Sequence, residues 1–573
     1  MSKEQGSESA ESRSQFIKEE KVAEEKEAPK KVSRREFVKG AAAVAGAGAL
    51  ASCAPAATPA PGETAAPAPT CPPAAECAPC PVAGVPETWD EEADVVVVGM
   101  GLGALCAAIE AHDAGAKVVI LEKAPEGRHG GTSRVCGQLL VMPPPEMEEA
   151  TFLYHKNSDY ADLVDEDVHR AFAAELVKVE PWILSLGGEV DDYQFSAIFD
   201  VPGNESFVVK KIAPSAEPSS GWMFFEKQVN DRGIEIMFET PARSLVASPE
   251  REVMGVKAES QGSDMYIKAK RGVVLGTGGF EANQTMLKNY AMGYPAFYDG
   301  TPYNTGDGIR MAEALGADLV AMNNMALPRR GGCIRASGFD APFRTNLQGG
   351  GNGFIYVNKF GERFINEFKT EVYSYDWRHI ILFEKERMTF PQIPWYGIFD
   401  QTRLDARPLF TGSGWNGLVE GYEWSPDNQA ELAKGWILEA DSLETVASKI
   451  AELPGNEGKM DSSTLTATMD AYDQACSDQL DPVFNRPAEN LVPISGPPYY
   501  IVELWPLIHF TGGGPKRDAQ ARIVNVEGEP IPRLYSVGEM GAWWGSGYNG
   551  GFIEGPPSGR IAGKNAAAEE PWA

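Results

Sequence analysis

Six residues, Gly99-Met100-Gly101-Leu102-Gly103-Ala104, fit the pattern G-x-G-x-x-G/A, and Glu122 stands 122 minus 99, or 23, residues past the first glycine. The chemistry such a spacing serves is the grip of a dinucleotide. The first glycine allows a tight turn, the second lets backbone approach a pyrophosphate at a helix N-terminus, and the acid accepts from a ribose hydroxyl. A second stretch, Lys123 followed by Gly130-Gly131-Thr132-Ser133, has paired glycines and hydroxyls that can bring N–H groups against a pyrophosphate or a flavin ring. Positioning them requires a strand, a turn, a helix and a second strand. Residues 94–98 are a near-continuous β-branched run, as expected of a parallel strand covered on both faces. Ala104, Ala107, Ala108 and Ala111 fall at i, i+3, i+4 and i+7, a small-residue face able to lie close on a sheet. Gly115 ends that helix, and residues 117–121 form the strand that delivers Glu122. An ordinary βαβ unit with glycine-rich turns would share the glycines. The alanine-faced helix and the terminal acid favour the dinucleotide.

The 573 residues suggest two or three domains, and a hydrophobic content of 43% provides an ordinary globular core. A formal net charge of -30 argues against partners bound by phosphate neutralisation, nucleic acid above all, and against charge-driven binding to anionic lipid. No apolar run reaches about 18 residues, so no membrane-spanning helix is expected. The six histidines include no H-E-x-x-H pair, and no C-x-x-C-H haem site occurs, so neither a bound metal nor a c-type haem is expected.

Residues 1–32 are charged and poor in apolar side chains. Ser33-Arg34-Arg35-Glu36-Phe37-Val38-Lys39 and the small-residue segment 40–50 resemble a twin-arginine signal, the address of proteins exported already folded. Leu50-Ala51-Ser52-Cys53 resembles a lipobox that would leave a lipidated Cys53 at the mature N-terminus; cleavage after a nearby small residue is the rival reading. Residues 1–53 are thus assigned to the signal. Residues 54–89, rich in Ala and Pro, form an extended tether. It carries Cys71, Cys77 and Cys80, one thiolate short of a four-cysteine cluster, so a disulfide with a spare thiol, or no function, is expected. Cys106, Cys136, Cys333 and Cys476 stand in apolar contexts, Cys476 extending a Leu465, Met469, Tyr472 stripe that reads as core. Asp441-Ser442 and Asp461-Ser462 look like helix N-caps.

Six separated motifs together carry a family resemblance over residues 90–565. They are the fingerprint with Glu122, the GGTS loop, GIEIMFETPARSLV (233–246), VVLGTGG (273–279), NTGDGIRM (304–311) and LYSVGEMG (534–541). In this order they resemble the fumarate reductase and 3-ketosteroid dehydrogenase group of flavoproteins. The resemblance implies an α/β, doubly wound Rossmann-like domain of glutathione-reductase type, residues 90–328 and 511–573, binding FAD noncovalently. An inserted α+β capping domain, residues 329–510, would close over the flavin. It adds Ala242, Thr277, Gly278, Gly279, Asp307, His509 and Glu539 to the expected cofactor site. His129 does not stand in the family's covalent-attachment pattern and reads as a loop histidine near phosphate or solvent.

Departures from the family pattern bear on substrate. Residues 353–367 resemble the family's strand, turn, strand and "NE" segment. Five residues beyond its asparagine, where fumarate reductases carry the proton-donating arginine and ketosteroid dehydrogenases a tyrosine, this chain has Glu371, with Tyr373 and Tyr375 close behind. In Ile508-His509-Phe510-Thr511-Gly512-Gly513-Gly514, which resembles "HHTMGG", the second histidine is Phe510. Tyr548 stands where fumarate reductases clamp a carboxylate with arginine and ketosteroid dehydrogenases have tyrosine. A buried dianion needs paired cations, so this hollow, expected to lack cationic anchors, should take fumarate poorly. A neutral or monoanionic carbonyl compound is expected, walled by Trp505, Phe510, Trp543, Trp544, Gly551 and Phe552 unless these aromatics are core. A hydride would pass between flavin N5 and the carbon β to the carbonyl, Tyr548 would bond the carbonyl oxygen, and Glu371 or Tyr373 would move the proton. Reduction of monocarboxylic enoates such as aryl acrylates is the alternative within enzymes; a tethered electron-relay flavolipoprotein is the alternative outside them. Export implies an extracytoplasmic location and a separate electron donor or acceptor, quinone-linked or an extracytoplasmic redox protein.

Overall fold

The structure, a computed structural model, describes residues 82–326, 332–347, 353–368, 377–410, 412–541 and 551–572. The twin-arginine segment, Cys53 and the tether cysteines lie outside the described residues.

The main sheet runs in the order Arg522–Val524, Pro530–Ser536, Ser263–Leu275, Glu91–Val98, Val118–Leu121, Glu235–Met237, and from Pro530–Ser536 onward all neighbours are parallel. Val95, Val96 and Val97 are fully buried, as a parallel strand covered on both faces demands. The hairpin Ala242–Ala247 and Val253–Ser260 extends the sheet antiparallel to Ser263–Leu275.

The fingerprint helix Leu102–Asp113 packs both on this sheet and along the C-terminal helix Gly551–Ala568, which lies on the sheet beside it. Its small residues serve both contacts, where the alanine stripe implied the sheet alone. Ala104 meets Gly276 at the end of a strand, whereas Gly559 and Gly563 lie so close that an added Cβ would come 2.4 Å from the carbonyl oxygens of Gly103 and Ala107. Small residues are what let two helix backbones approach this far.

A second, largely antiparallel sheet runs Phe343–Arg344, Gly332–Ile334, Tyr499–Ile508, Trp395–Asp400, Phe354–Val357. Tyr499–Ile508 is its spine, pairing also with Phe297–Tyr298 and Leu438–Ala440. One face buries Ile355, Val357, Ile398 and Ile501 against the helices Leu443–Glu452 and Ser462–Asp478. Both helices begin at the expected caps: Ser442 Oγ accepts from Thr445 N at 3.1 Å, and Asp461 Oδ1 from Thr464 N at 2.7 Å. Leu465, Met469, Tyr472 and Cys476 are buried, as the stripe implied. The "NE" segment ends in a buried ion cluster in which Glu367 takes two bonds of 2.8 Å from Arg363 and lies 3.3 Å from Arg486.

Between the fingerprint loop and the helix Ser220–Asp231 the chain makes an excursion that forms a small sheet ordered Leu140–Val141, Val209–Ile212, Val190–Asp192. Among the described residues no helix is long and apolar enough to cross a membrane, and no cluster of His, Cys, Asp and Glu is arranged to hold a metal ion.

Candidate active site

Two hollows adjoin. The first is a cleft lined by residues 98–104, 121–124, 131–133, 276–278 and 537–539, together with Ala242, Asn304 and Asp307. Its floor is the turn after the first strand. Gly99 has φ +102°, and a Cβ there would come 2.5 Å from Gly276 O, so the conformation and the close approach both require glycine. At Gly101 an added Cβ would meet Ser133 Oγ at 3.5 Å and Gly276 O at 3.8 Å, ordinary contacts that leave the space beyond to the cleft. Leu102 N, at the helix start, points to Ser133 Oγ at 3.0 Å. Glu122 is buried at the end of its strand; burial pushes its carboxyl above the usual range, opposed by the N–H of Ala124, which donates to Oε1 at 2.7 Å, and by Lys123. Lys123 Nζ pairs with Asp307 at 2.6 Å and ties the acid's loop to the helix Asp307–Ala314. Glycine backbone, a helix N-terminus and a terminal acid suit a pyrophosphate and a ribose, so the residues fit a dinucleotide such as FAD.

The second hollow, about 430 Å³, shares Thr132 and Glu539 with the cleft. One part of its wall is apolar and comes largely from the excursion: Leu139, Phe195, Ile198, Phe207 and Val209, with Phe510, Phe552 and Ile553. Asp299, Arg344 and His509 also line it, and they form one ionic group. His509 Nδ1 lies 2.6 Å from Asp299 Oδ2, and Arg344 Nη1 lies 3.3 Å from the same oxygen. Burial would raise the Asp299 carboxyl, yet Arg344 and His509 hold it below its usual range. For His509 burial wins, lowering the imidazole below its usual value despite Asp299 beside it.

Two more acids flank the shared wall. Glu281 is fully buried; Asn304 Nδ2 donates to its Oε1 at 2.6 Å, and Thr132 and Thr511 lie 3.4 Å from its carboxylate oxygens. Burial pushes Glu281 up to about 7. Glu539 is raised well above the carboxylate range by burial and by the neighbouring Glu281 and Glu554.

The sequence candidates therefore divide. Gly99, Gly101, Leu102, Gly103, Ala104, Glu122, Lys123, Gly131, Thr132, Ser133, Ala242, Thr277, Gly278, Asp307 and Glu539 line the cleft together. Gly130 and Gly279 stand behind it, packed on Trp222 and Thr511. His509, expected at the cofactor, lines the second hollow instead, beside Phe510 and Phe552. His129 is neither near-solvent nor loose: it is buried between Trp222 and Phe238 with Nε2 on Glu226. Trp505 is core, edge-on to Phe297. Cys136 lines the second hollow, while Cys106, Cys333 and Cys476 are buried. The hollow is not free of cations, because Arg344 reaches it. Glu371, Tyr373, Tyr375, Trp543, Trp544 and Tyr548 lie outside the described residues, and Gly551 begins the C-terminal helix. Sequence reasoning missed Asp299, Glu281, Arg344 and the part of the apolar wall that comes from the excursion. Asp299 stands in a turn and Glu281 just past VVLGTGG (273–279), where an acid had no spacing to mark it.

A family model described as FAD binding domain matches residues 222–552, and one described as FAD dependent oxidoreductase matches residues 94–273. The chain is 26% identical to an NADH:acrylate oxidoreductase of Vibrio harveyi over 85% of this chain and 51% of that protein, so it spans about half the length of this relative. It is 28% identical to a digoxin reductase of Eggerthella lenta, covering 84% of this chain and 88% of the relative. A solved structure, 3-ketosteroid delta1-dehydrogenase from Sterolibacterium denitrificans, shares the fold with a TM-score of 0.67 at 24% identity, over 83% of this chain and 100% of that one.

Proposed function

This chain belongs to the FAD binding domain family, and we propose that it is an FAD-dependent oxidoreductase that reduces or introduces a C=C bond conjugated to a carbonyl. The observation that carries this reading is the shared wall: Thr132 and Glu539 line both the dinucleotide cleft and an apolar hollow. The names of the two relatives, an acrylate oxidoreductase and a digoxin reductase, support it. FAD would be held by Glu122 at its ribose and by the backbone of residues 99–104 and 131–133 at its pyrophosphate. When bound it supplies hydride exchange at the carbon β to a carbonyl. The chain's own part is to enclose an apolar body, exclude water and orient the oxygen-bearing end.

Arg344 favours a second reading for the substrate, a monocarboxylic enoate in place of a neutral enone, since one guanidinium can match one carboxylate. We further propose that the protein is exported through its twin-arginine segment, anchored by lipid at Cys53, divided into flavin and capping domains as the sequence implies, and served by a separate electron carrier. Anaerobic mixing of reduced holoenzyme with a panel of aryl enones and enoates tests the activity: flavin reoxidation by at least one class is expected. Ligand binding with no change in flavin redox state across the panel would overturn it in favour of an electron-relay protein.

A further inference from the structure

The central strand Tyr499–Ile508 delivers His509 to the wall of the second hollow, where two residues from other elements meet it. Asp299 comes from the turn after Phe297–Tyr298, and Arg344 from the edge strand Phe343–Arg344. We propose that His509 is the catalytic proton carrier: its imidazole gives a proton to the carbon α to the carbonyl when the C=C bond is reduced and takes it back when the bond is formed, with Asp299 as its positioning residue. This rests on the reading of the hollow as the place where that bond is worked on.

Three observations carry it. First, the 2.6 Å contact between His509 Nδ1 and Asp299 Oδ2 fixes which ring nitrogen holds the hydrogen in the neutral imidazole. The nitrogen Asp299 does not engage, Nε2, is then the one that takes or gives a proton, and Asp299 stabilises the imidazolium when it forms. Second, Arg344, 3.3 Å from the same oxygen, keeps Asp299 an anion and therefore an acceptor. Third, among the described residues lining the hollow, two other proton-bearing groups are held in their neutral forms at neutral pH. Burial pushes the Cys136 thiol up to about 12, and Glu539 is raised well above the carboxylate range. Burial lowers the His509 imidazole below its usual value, so its neutral form is the favoured one and the imidazolium, when it forms, leans on Asp299. The step would balance: in reduction the β carbon would gain a hydride, which FAD would supply when bound and reduced, the α carbon would gain the imidazolium proton, and the ring would be reprotonated from solvent. Desaturation would run both transfers in reverse, the α proton passing to the ring.

The test uses holoenzyme of wild type, His509→Gln, Asp299→Asn and Glu371→Gln, each checked for bound flavin by its visible absorbance. Benzylideneacetone serves as enone and benzylacetone as its saturated product. Three readouts are taken: reoxidation of reduced enzyme by the enone across pH, exchange of the benzylacetone α hydrogens with deuterium oxide on oxidised enzyme, and benzylacetone affinity from the flavin difference spectrum. In His509→Gln reoxidation should slow by about 100-fold or more and the exchange should vanish, while affinity stays within about threefold. Asp299→Asn should slow both by about tenfold or more through the wrong tautomer. Wild-type reoxidation should fall as pH rises past the imidazole's value, and that limb should be missing in His509→Gln. A His509→Gln enzyme within about threefold of wild type, or exchange lost in Glu371→Gln but kept in His509→Gln, overturns the assignment. A wild type reoxidised by neither benzylideneacetone nor cinnamate is a different failure, that of the proposed function itself.

Discussion

The dinucleotide cleft and the hollow beside it are built from different parts of the chain. The cleft is made of backbone: turns, a helix start and glycines, drawn mostly from short stretches at strand ends. The hollow is made of side chains brought from the excursion, the turn at Asp299, the edge strand at Arg344 and the end of the central strand at His509. Backbone geometry is dictated locally by φ and by close approach, so it is conserved in its consequences wherever the glycines stand. A side-chain wall depends on which distant elements happen to meet, so substitutions in it change the ligand while the cleft stays as it was.

That contrast can be broken most severely at Gly99. Gly99→Ala places a methyl 2.5 Å from Gly276 O at a backbone conformation alanine resists. Purified protein should carry less than about a tenth of wild-type flavin absorbance; near-normal flavin content would show that the cleft tolerates side chains after all. At Arg344 the expected effect is smaller and selective. Arg344→Leu removes a charge-assisted partner, so cinnamate should bind about tenfold more weakly while benzylacetone changes by less than about threefold. With Arg344 the one guanidinium among the described residues lining the hollow, wild-type reduction of fumarate should run at less than about a hundredth of the best enone or enoate. Equal loss of both ligands in Arg344→Leu would mean the hollow had collapsed instead of losing an anchor.

Glu281, between the two regions, sharpens the comparison through pH. Its carboxyl is raised from 4.5 to about 7 by burial, so the folded state holds this proton more tightly than the unfolded chain. The stability it contributes is present below about pH 4.5 and is lost as pH rises through about 7. Glu281→Gln, which keeps an acceptor for Asn304 and cannot ionise, should therefore gain on wild type as pH rises. The difference in Tm of the flavin-free proteins should be wider at pH 8 than at pH 5, by an amount equivalent to at most about 3 kcal/mol. A gap independent of pH would mean the acid stays ionised in the folded protein. Smallest of all is Ser442→Ala, which removes a helix cap in neither region. It should cost about 1 kcal/mol by chemical denaturation and leave flavin content and turnover unchanged.

The difference in construction also explains what the amino-acid order disclosed. The fingerprint strand, helix and acid, both helix caps and the buried stripe ending at Cys476 were legible because each is set by neighbours within a few residues. The Asp299, Arg344 and His509 group was not, for the three residues are 299, 344 and 509 in a chain whose second sheet alone brings them together. Phe195, Ile198, Phe207 and Val209 were invisible for a related reason. They carry no motif and no helical or strand period, and it is the folding of the whole excursion, with Val209 in its small sheet and the others in the connections around it, that brings them to the hollow. His129 shows the reverse error, a polar residue in a loop that two aromatic rings and Glu226 have drawn inside.

The strand leading into His509 is pinned along its length by four others, whereas Phe343–Arg344 hangs on the margin of the same sheet with a single neighbour among the described strands. Amide hydrogens of the first should be among the last in the molecule to exchange with solvent, and those of the second among the early ones. A lineage changing its diet could thus rewrite position 344 and its surroundings repeatedly at little cost in folding, while the imidazole stayed where it was.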